Sequence, residues 1–281
     1  MIILSYNCRG LASRPKKLVL KDLVKCNIPD IILLQETLGK GEEVTCCLVK
    51  LFPRWSFHAI DANGHSGGVA LGFNAKVLRE ISSCGSENFL AVELYSNELC
   101  IPFLILNVYG PVLDWERFWN PLFTKSFIVH PNLIIGVYLN FSLGMLESWG
   151  VRARADPLFG FFLNKLASSL LVDVSPLKMR PTWRNQRIGE DWIGKKLDRF
   201  LLYESLTEKL QAIRNWVGEG GLSDHFPVFL EVKGAFNKLG TPFKFNASWL
   251  WMHPSLAFSI TLGRNLIPMK MRVATRLSCI I

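Results

Sequence analysis

The stretch Asp30-Ile31-Ile32-Leu33-Leu34-Gln35-Glu36 decides how this chain is read: four consecutive apolar residues, then an amide and a carboxylate. A run this short and this apolar reads as a strand buried on both faces. Glu36 then stands at the tip of a rigid element, at the edge of a sheet. Upstream, residues 1–6 form a similar run that ends at Asn7-Cys8-Arg9-Gly10, and residues 16–26, opened by Pro15, carry the spacing of an amphipathic helix.

Downstream, a helix is expected over 42–51, followed by strands over 55–60, 68–73, 90–95 and 101–108, separated by Gly, Asn and Ser turns. Such close spacing favours antiparallel meanders over helical crossovers. Further strands are expected over 132–137, 197–202, 212–217 and 226–232, with helices over 114–127 and 158–170. The fold class is α+β, with sheets buried on both faces.

The 281 residues are enough for a large core, and one domain of this size is ordinary. Hydrophobic residues at 49% and charged residues at 20% describe a globular chain, and no uninterrupted apolar run approaches the ~20 residues of a membrane span. The expectation is a soluble protein with no membrane partner. The start, Met1-Ile2-Ile3-Leu4-Ser5-Tyr6, has no basic flank and is too short for a signal peptide, so an intracellular, non-secreted protein is expected. Seven cysteines, an odd number without a C-x-x-C pair, read as reduced thiols, with Cys8, Cys26 and Cys100 as core or strand-end residues.

The formal charge of +9 is concentrated at one end. After Glu231 there are no acids, whereas Lys233, Lys238, Lys244, Arg264, Lys270, Arg272 and Arg276 follow it, which leaves 25 basic and 23 acidic residues in 1–232. The chain therefore divides into a nearly neutral domain over 1–232 and a basic tail over 233–281 without regular structure. Such a tail adds salt-sensitive affinity for phosphate backbones without giving the domain a basic face.

Several polar residues close apolar runs across the whole chain: Asn7, Glu36, Asn140, Asp198 and the pair Asp224-His225. Taken singly, a strand-end Asn or Asp is most often a turn residue. Together they have the chemistry of a metal-dependent phosphodiesterase, because Mg²⁺ takes one or two carboxylates plus waters and Glu36 and Asp224 can supply them. Asn7 and Asn140 are amides able to orient a water or a phosphate oxygen without adding charge. His225 would face the scissile phosphate, Asp198 would hold its other ring nitrogen, and Tyr109 would donate to phosphate.

The stretches Ser5-Tyr6-Asn7-Cys8-Arg9-Gly10, Leu34-Gln35-Glu36-Thr37, Ser66-Gly67-Gly68-Val69-Ala70, Asn107-Val108-Tyr109-Gly110-Pro111, Leu197-Asp198-Arg199-Phe200 and Ser223-Asp224-His225-Phe226-Pro227-Val228 resemble the endonuclease/exonuclease/phosphatase superfamily, in its order and over roughly 1–232. Within it, the chain is most similar to the apurinic-endonuclease-type domain at the N-terminus of plant LINE (non-LTR) retrotransposon polyproteins. Phe243-Lys244-Phe245-Asn246, Trp249 and His253-Pro254 resemble the connector that precedes the reverse transcriptase there, and the chain stops before any polymerase motif. The resemblance implies a four-layer α/β/β/α sandwich with its site at one rim. Asn7, Glu36 and Asp224 would serve the metal side, with Mg²⁺ or Mn²⁺ as cofactor and DNA as partner. Tyr109 and Asn140 would contact phosphate, Asp198 would orient His225, and no obligate protein partner is implied. Thr182-Trp183 matches a strand beside the substrate groove, although a buried tryptophan is the simpler reading. An element nuclease would work on nuclear DNA, yet no compact nuclear-import run is present.

One position departs from the family pattern Gly-Asp-x-Asn. In Gly136-Val137-Tyr138-Leu139-Asn140, Tyr138 stands where the aspartate that positions the attacking water is required, and Val137 replaces a glycine, crowding a strand end. Losing a positioned base typically costs ~10²–10⁴-fold in rate, and a phenol of ordinary pKa ~10 does not replace it at neutral pH. The expectation is a Mg²⁺-dependent endonuclease domain of retroelement origin with impaired catalysis. The alternatives are an inactive remnant that binds DNA or metal, a phosphatase of the same superfamily, and a plain globular domain whose polar strand ends are turns.

Overall fold

Strands β1 (Ile2–Asn7), β2 (Ile31–Gln35), β3 (Trp55–Asn63) and β4 (Ser66–Asn74) open the chain, with helices α1 (Arg14–Asn27) and α2 (Gly41–Leu51) among them. The meander β5 (Leu78–Ser86), β6 (Phe89–Ser96) and β7 (Ile101–Tyr109) follows, then α3 (Trp115–Phe123) and β8 (Leu133–Tyr138). The remainder is β9 (Ser148–Trp149), α4 (Phe159–Ser168), β10 (Leu171–Asp173), β11 (Trp183–Arg184), β12 (Gly194–Lys195), β13 (Asp198–Tyr203), α5 (Glu204–Lys209), β14 (Leu210–Val217) and β15 (Val228–Gly234). This computed structural model describes residues 1–63, 66–111 and 113–234. Lys233 and Gly234 thus belong to β15, and the rest of the tail expected over 233–281 lies outside the described residues.

The strands form two mixed six-stranded sheets, in the orders β14-β15-β1-β2-β4-β3 and β10-β13-β8-β7-β6-β5, and a small third sheet, β11-β12-β9. Close spacing does give antiparallel meanders at β3-β4 and β5-β6-β7. It does not hold throughout: β1-β2 and β7-β8 are parallel pairs, the helices α1 and α3 lying in the connections between their strands.

Side-chain alternation explains the unbroken apolar runs. Ile31 and Leu33 of β2 point into a core shared with the second sheet, which supplies Val92, Ile105, Ile134 and Phe200. Ile32 and Leu34 point the other way, against Leu20 of α1 and Val44 and Leu48 of α2. On the second sheet Leu106, Ile135 and Val137 pack outward against Trp119 and Leu122 of α3 and Phe162 and Leu166 of α4. The result is the expected four-layer α/β/β/α sandwich. Val137 does not crowd a strand end, because it is an ordinary outward-facing core residue, 1% exposed.

Two polar residues tie the inner faces together. Asn107 of β7 donates through Nδ2 to the carbonyls of Leu34 and Ala70, both at 2.9 Å, and its Oδ1 accepts from Gln35 Nε2 at 2.7 Å. Gln35 also donates to Ser5 Oγ at 3.0 Å. Between the sheets Gly136 faces Leu33, where an added Cβ would lie 2.3 Å from Leu33 Cδ1.

The helix expected over 114–127 stops at Phe123, two residues after Pro121, and a separate 3-10 turn covers Ser126–Val129. Strand β5 has no counterpart among the strands expected from sequence, since it is an edge strand exposed over most of its length and has no apolar alternation.

Candidate active site

Sheet direction gathers the polar residues at one rim. The parallel strands β1, β2, β7 and β8 end there with Asn7, Gln35-Glu36, Tyr109 and Tyr138, while the antiparallel strands β13 and β15 start there, at Asp198 and just after Asp224-His225. Residues as far apart in the chain as Asn7 and His225 are therefore brought to one rim. Three of the rim residues, Arg9, Glu36 and Asn140, hold left-handed backbone at φ 45°, 50° and 69°. Such conformations cost free energy in residues other than glycine and tend to cluster at functional sites.

Asn7 is fully buried and donates through Nδ2 to Glu36 Oε1 at 2.9 Å, and its Oδ1 accepts from the backbone N–H of Arg9 at 3.2 Å. Asp224 Oδ2 accepts from Trp183 Nε1 at 2.9 Å and from Arg9 Nη1 at 3.2 Å. Trp183 is thus a half-buried indole that touches the site, and its neighbour Thr182 accepts from the backbone N–H groups of Leu197 and Asp198 at 2.9 and 3.0 Å. Ser223 completes the turn, since its Oγ donates to the Asn7 carbonyl at 2.9 Å and accepts from the His225 N–H at 3.2 Å.

His225 is fully buried, and its Nδ1 lies 2.9 Å from Asp198 Oδ2, where an N–H donates to the carboxylate. That contact fixes the ring and leaves Nε2 facing the site. His225 Nε2, Asp198 Oδ1 and Asp224 Oδ1 are buried without a hydrogen-bond partner among the described residues. Buried polar atoms in native proteins are nearly always satisfied, and a water or a polar ligand at the rim would satisfy these three, which are among nine such atoms in the described residues.

Tyr138 lies between these groups. It is in register with Tyr109 on one side and with Asp198 on the other, so the three share one row of the inner face. Its ring stands 5.5 Å from that of Tyr109 and 4.9 Å from that of His225, edge to face at 89°. Burial, reinforced by Asp198, Glu36 and Tyr109, pushes its phenol far above the ordinary range, so it carries a proton at every physiological pH. Tyr109 is also pushed up, first by burial and then by Glu36, against a hydrogen bond from Asn140 that pulls it down. Asn140 itself donates through Nδ2 to the Gly110 carbonyl.

The structure therefore brings together Asn7, Glu36, Tyr109, Asn140, Asp198, Asp224 and His225. Sequence reasoning missed Arg9, Ser223 and the part taken by Trp183. The first two lie inside the family-like stretches, but a basic loop residue and a turn serine have no periodic signal. Among the thiols, Cys8 is buried, with its pKa raised to about 12 mainly by desolvation, and Cys100 immediately precedes β7. Cys26 is neither core nor strand end, being exposed on α1.

No group of three or more His, Cys, Asp or Glu among the described residues is disposed to hold a metal ion. The available set is two carboxylates and an amide. It suits a hard cation that takes oxygen ligands and keeps several waters, and Asp224 Oδ1 is buried without a hydrogen-bond partner among the described residues.

The fold defined by these two sheets is that of the endonuclease/exonuclease/phosphatase superfamily. Among solved structures it is similar to the endonuclease domain of TRAS1, a telomere-specific non-LTR retrotransposon, with a TM-score of 0.64 at 16% identity over 83% of this chain and 97% of that one. The catalytic domain of Xenopus laevis APE2 superposes with a TM-score of 0.64 at 20% identity, covering 85% and 94%. The mannosyl-6-phosphatase Bt3783 of Bacteroides thetaiotaomicron does so with 0.57 at 13% identity, covering 83% and 99%. No family model matches the chain, and no curated protein matches it in sequence.

Proposed function

We propose that this chain is a Mg²⁺-dependent DNA endonuclease domain of retroelement origin whose hydrolytic step is impaired. The observation that carries the reading is the Tyr138 ring, set edge to face against His225 in the row it shares with Tyr109 and Asp198. Everything around it suits a phosphodiester. His225 Nε2 has no partner of its own among the described residues and would hydrogen-bond a phosphate oxygen, Asp198 keeps the ring oriented, and Tyr109 and Asn140 lie on the same rim. Glu36 and Asp224, with Asn7 beside them, would hold the cation, and Mg²⁺ or Mn²⁺ bound there would neutralise charge developing on the phosphate. What is missing is a group to position and deprotonate the attacking water, for a buried phenol that keeps its proton cannot accept another.

DNA is the substrate this reading implies, and nuclear DNA the natural target. Among the described residues no helix is long and apolar enough to cross a membrane. The test is nicking of supercoiled plasmid in Mg²⁺ with the natural chain and with Tyr138→Asp. The variant should nick at least ~10²-fold faster, and EDTA should stop it. Equal, EDTA-insensitive activity in both proteins would overturn the assignment.

A further inference from the structure

Two carboxylates, Glu36 and Asp224, lie within reach of one cation that the chain itself carries. We propose that the Arg9 guanidinium is the resident counter-ion of Glu36 and Asp224, and that a divalent cation must displace it to bind. The inference rests on the reading of those two acids as the metal side of the site. Arg9 Nη1 lies 3.2 Å from Asp224 Oδ2 and Nε lies 3.8 Å from Glu36 Oε2, so one side chain reaches both acids.

Its backbone is held for that purpose. The residue sits at φ 45°, its N–H donates to Asn7 Oδ1 at 3.2 Å, and its carbonyl accepts from Lys16 Nζ. The guanidinium is thus launched from a fixed turn toward the acids. Three of the four carboxylate oxygens are consequently engaged: Glu36 Oε1 by Asn7, Glu36 Oε2 by Arg9, and Asp224 Oδ2 by Arg9 and Trp183. Among the described residues, the fourth oxygen, Asp224 Oδ1, is left without a hydrogen-bond partner.

A guanidinium is always charged, and at ~4 Å it cancels much of the field that would draw a second cation to the same oxygens. Its side chain is 49% exposed, so it can swing into water without disturbing the core. Metal occupancy and Arg9 placement are therefore mutually exclusive states of one site. A divalent ion gains the carboxylates only by releasing the arginine, which lowers its apparent affinity by the population of the arginine-paired state.

The test is calorimetric titration of the full chain with Mn²⁺ at low salt, comparing the natural protein, Arg9→Gln, Arg9→Lys and Arg9→Gln combined with Asp224→Asn. Thermal melts of each variant check that it is folded. Arg9→Gln should bind Mn²⁺ about tenfold or more tightly than the natural chain, and the added Asp224→Asn should abolish that gain. Arg9→Lys keeps a cation and should remain near the natural value. Equal affinity in the natural chain and Arg9→Gln, lost in both on adding Glu36→Gln, would overturn the competition while leaving the metal site in place. No binding in any variant would overturn both.

Discussion

Tyr138 occupies a row with Tyr109 and Asp198 and contacts His225, so its replacement changes chemistry and packing together. In the Tyr138→Asp background, His225→Ala or Glu36→Ala should return nicking to the level of the natural chain, as measured by plasmid relaxation. Retained activity in either double variant would mean that the reaction runs elsewhere. Restoration has a structural cost. Removing a ring that is only 5% exposed and placing a carboxylate beside Asp198 should destabilise the domain by about 2–4 kcal/mol, visible as a lower Tm in thermal unfolding. The candidate residues Asn7, Glu36, Tyr109 and Asn140 were legible in the sequence because each closes an apolar run, and Asp198, Asp224 and His225 because they border one. Arg9 was not, since nothing in a one-dimensional pattern says that a loop guanidinium turns back onto two acids 27 and 215 positions away.

At the level of elements, the rim keeps its shape through buried polar clamps. The loop after β8 is fixed by Glu147, which accepts from the Leu143 N–H at 2.7 Å, from Lys196 Nζ at 3.0 Å and from Arg199 Nη2 at 2.8 Å. Arg199 and Lys196 flank the start of β13 and also pair with Asp173 at 2.6 and 2.9 Å. Burial raises the Glu147 pKa, but the combined pull of Arg199, Lys196 and the Leu143 N–H outweighs it and leaves the group at about 2, against an ordinary 4.5. A depressed carboxylate pKa stabilises the fold fully above the ordinary value, and that stability is lost as pH falls from about 4.5 toward about 2. Thermal melts between pH 5 and pH 2 should therefore show a steep acid limb in the natural chain and a flatter one in Glu147→Gln. The same variant should lose about 3–5 kcal/mol at neutral pH, because two buried cations lose a partner. Parallel acid limbs would mean that the cluster contributes nothing. Between the sheets, Asn107→Ala would strand the carbonyls of Leu34 and Ala70 and one partner of Gln35, for a loss of about 2–3 kcal/mol in urea unfolding. A change under about 0.5 kcal/mol would show that water replaces the bridge. None of these clamps is visible in the sequence, where Glu147 and Asn107 look like any loop acid and any interruption of a strand.

Across the whole molecule, charge is distributed by segment. Lys233 is paired with Glu231 at 3.1 Å within β15, and the basic residues with no acid after them in the chain continue from Lys238. If they anchor DNA, removing residues 235–281 should flatten the dependence of log K on log salt by about 0.9 for each phosphate that the tail neutralises, as read by fluorescence anisotropy on duplex DNA. An unchanged slope would place the electrostatic contact on the folded domain.

What the sequence determined by itself was the class of architecture and which polar residues border its apolar runs. Strand-length apolar runs between helical segments leave few arrangements other than layered sheets, and polar residues at their ends must lie on a rim. The tertiary structure alone decided which runs pair in parallel and that β5 forms an edge, because an exposed strand is stabilised by its neighbour's hydrogen bonds rather than by its own side chains. It also decided that Arg9 lies against Glu36 and Asp224, and that Tyr138 faces His225. Those relations depend on register between strands far apart in the chain, and register is set by the packing of both sheets at once.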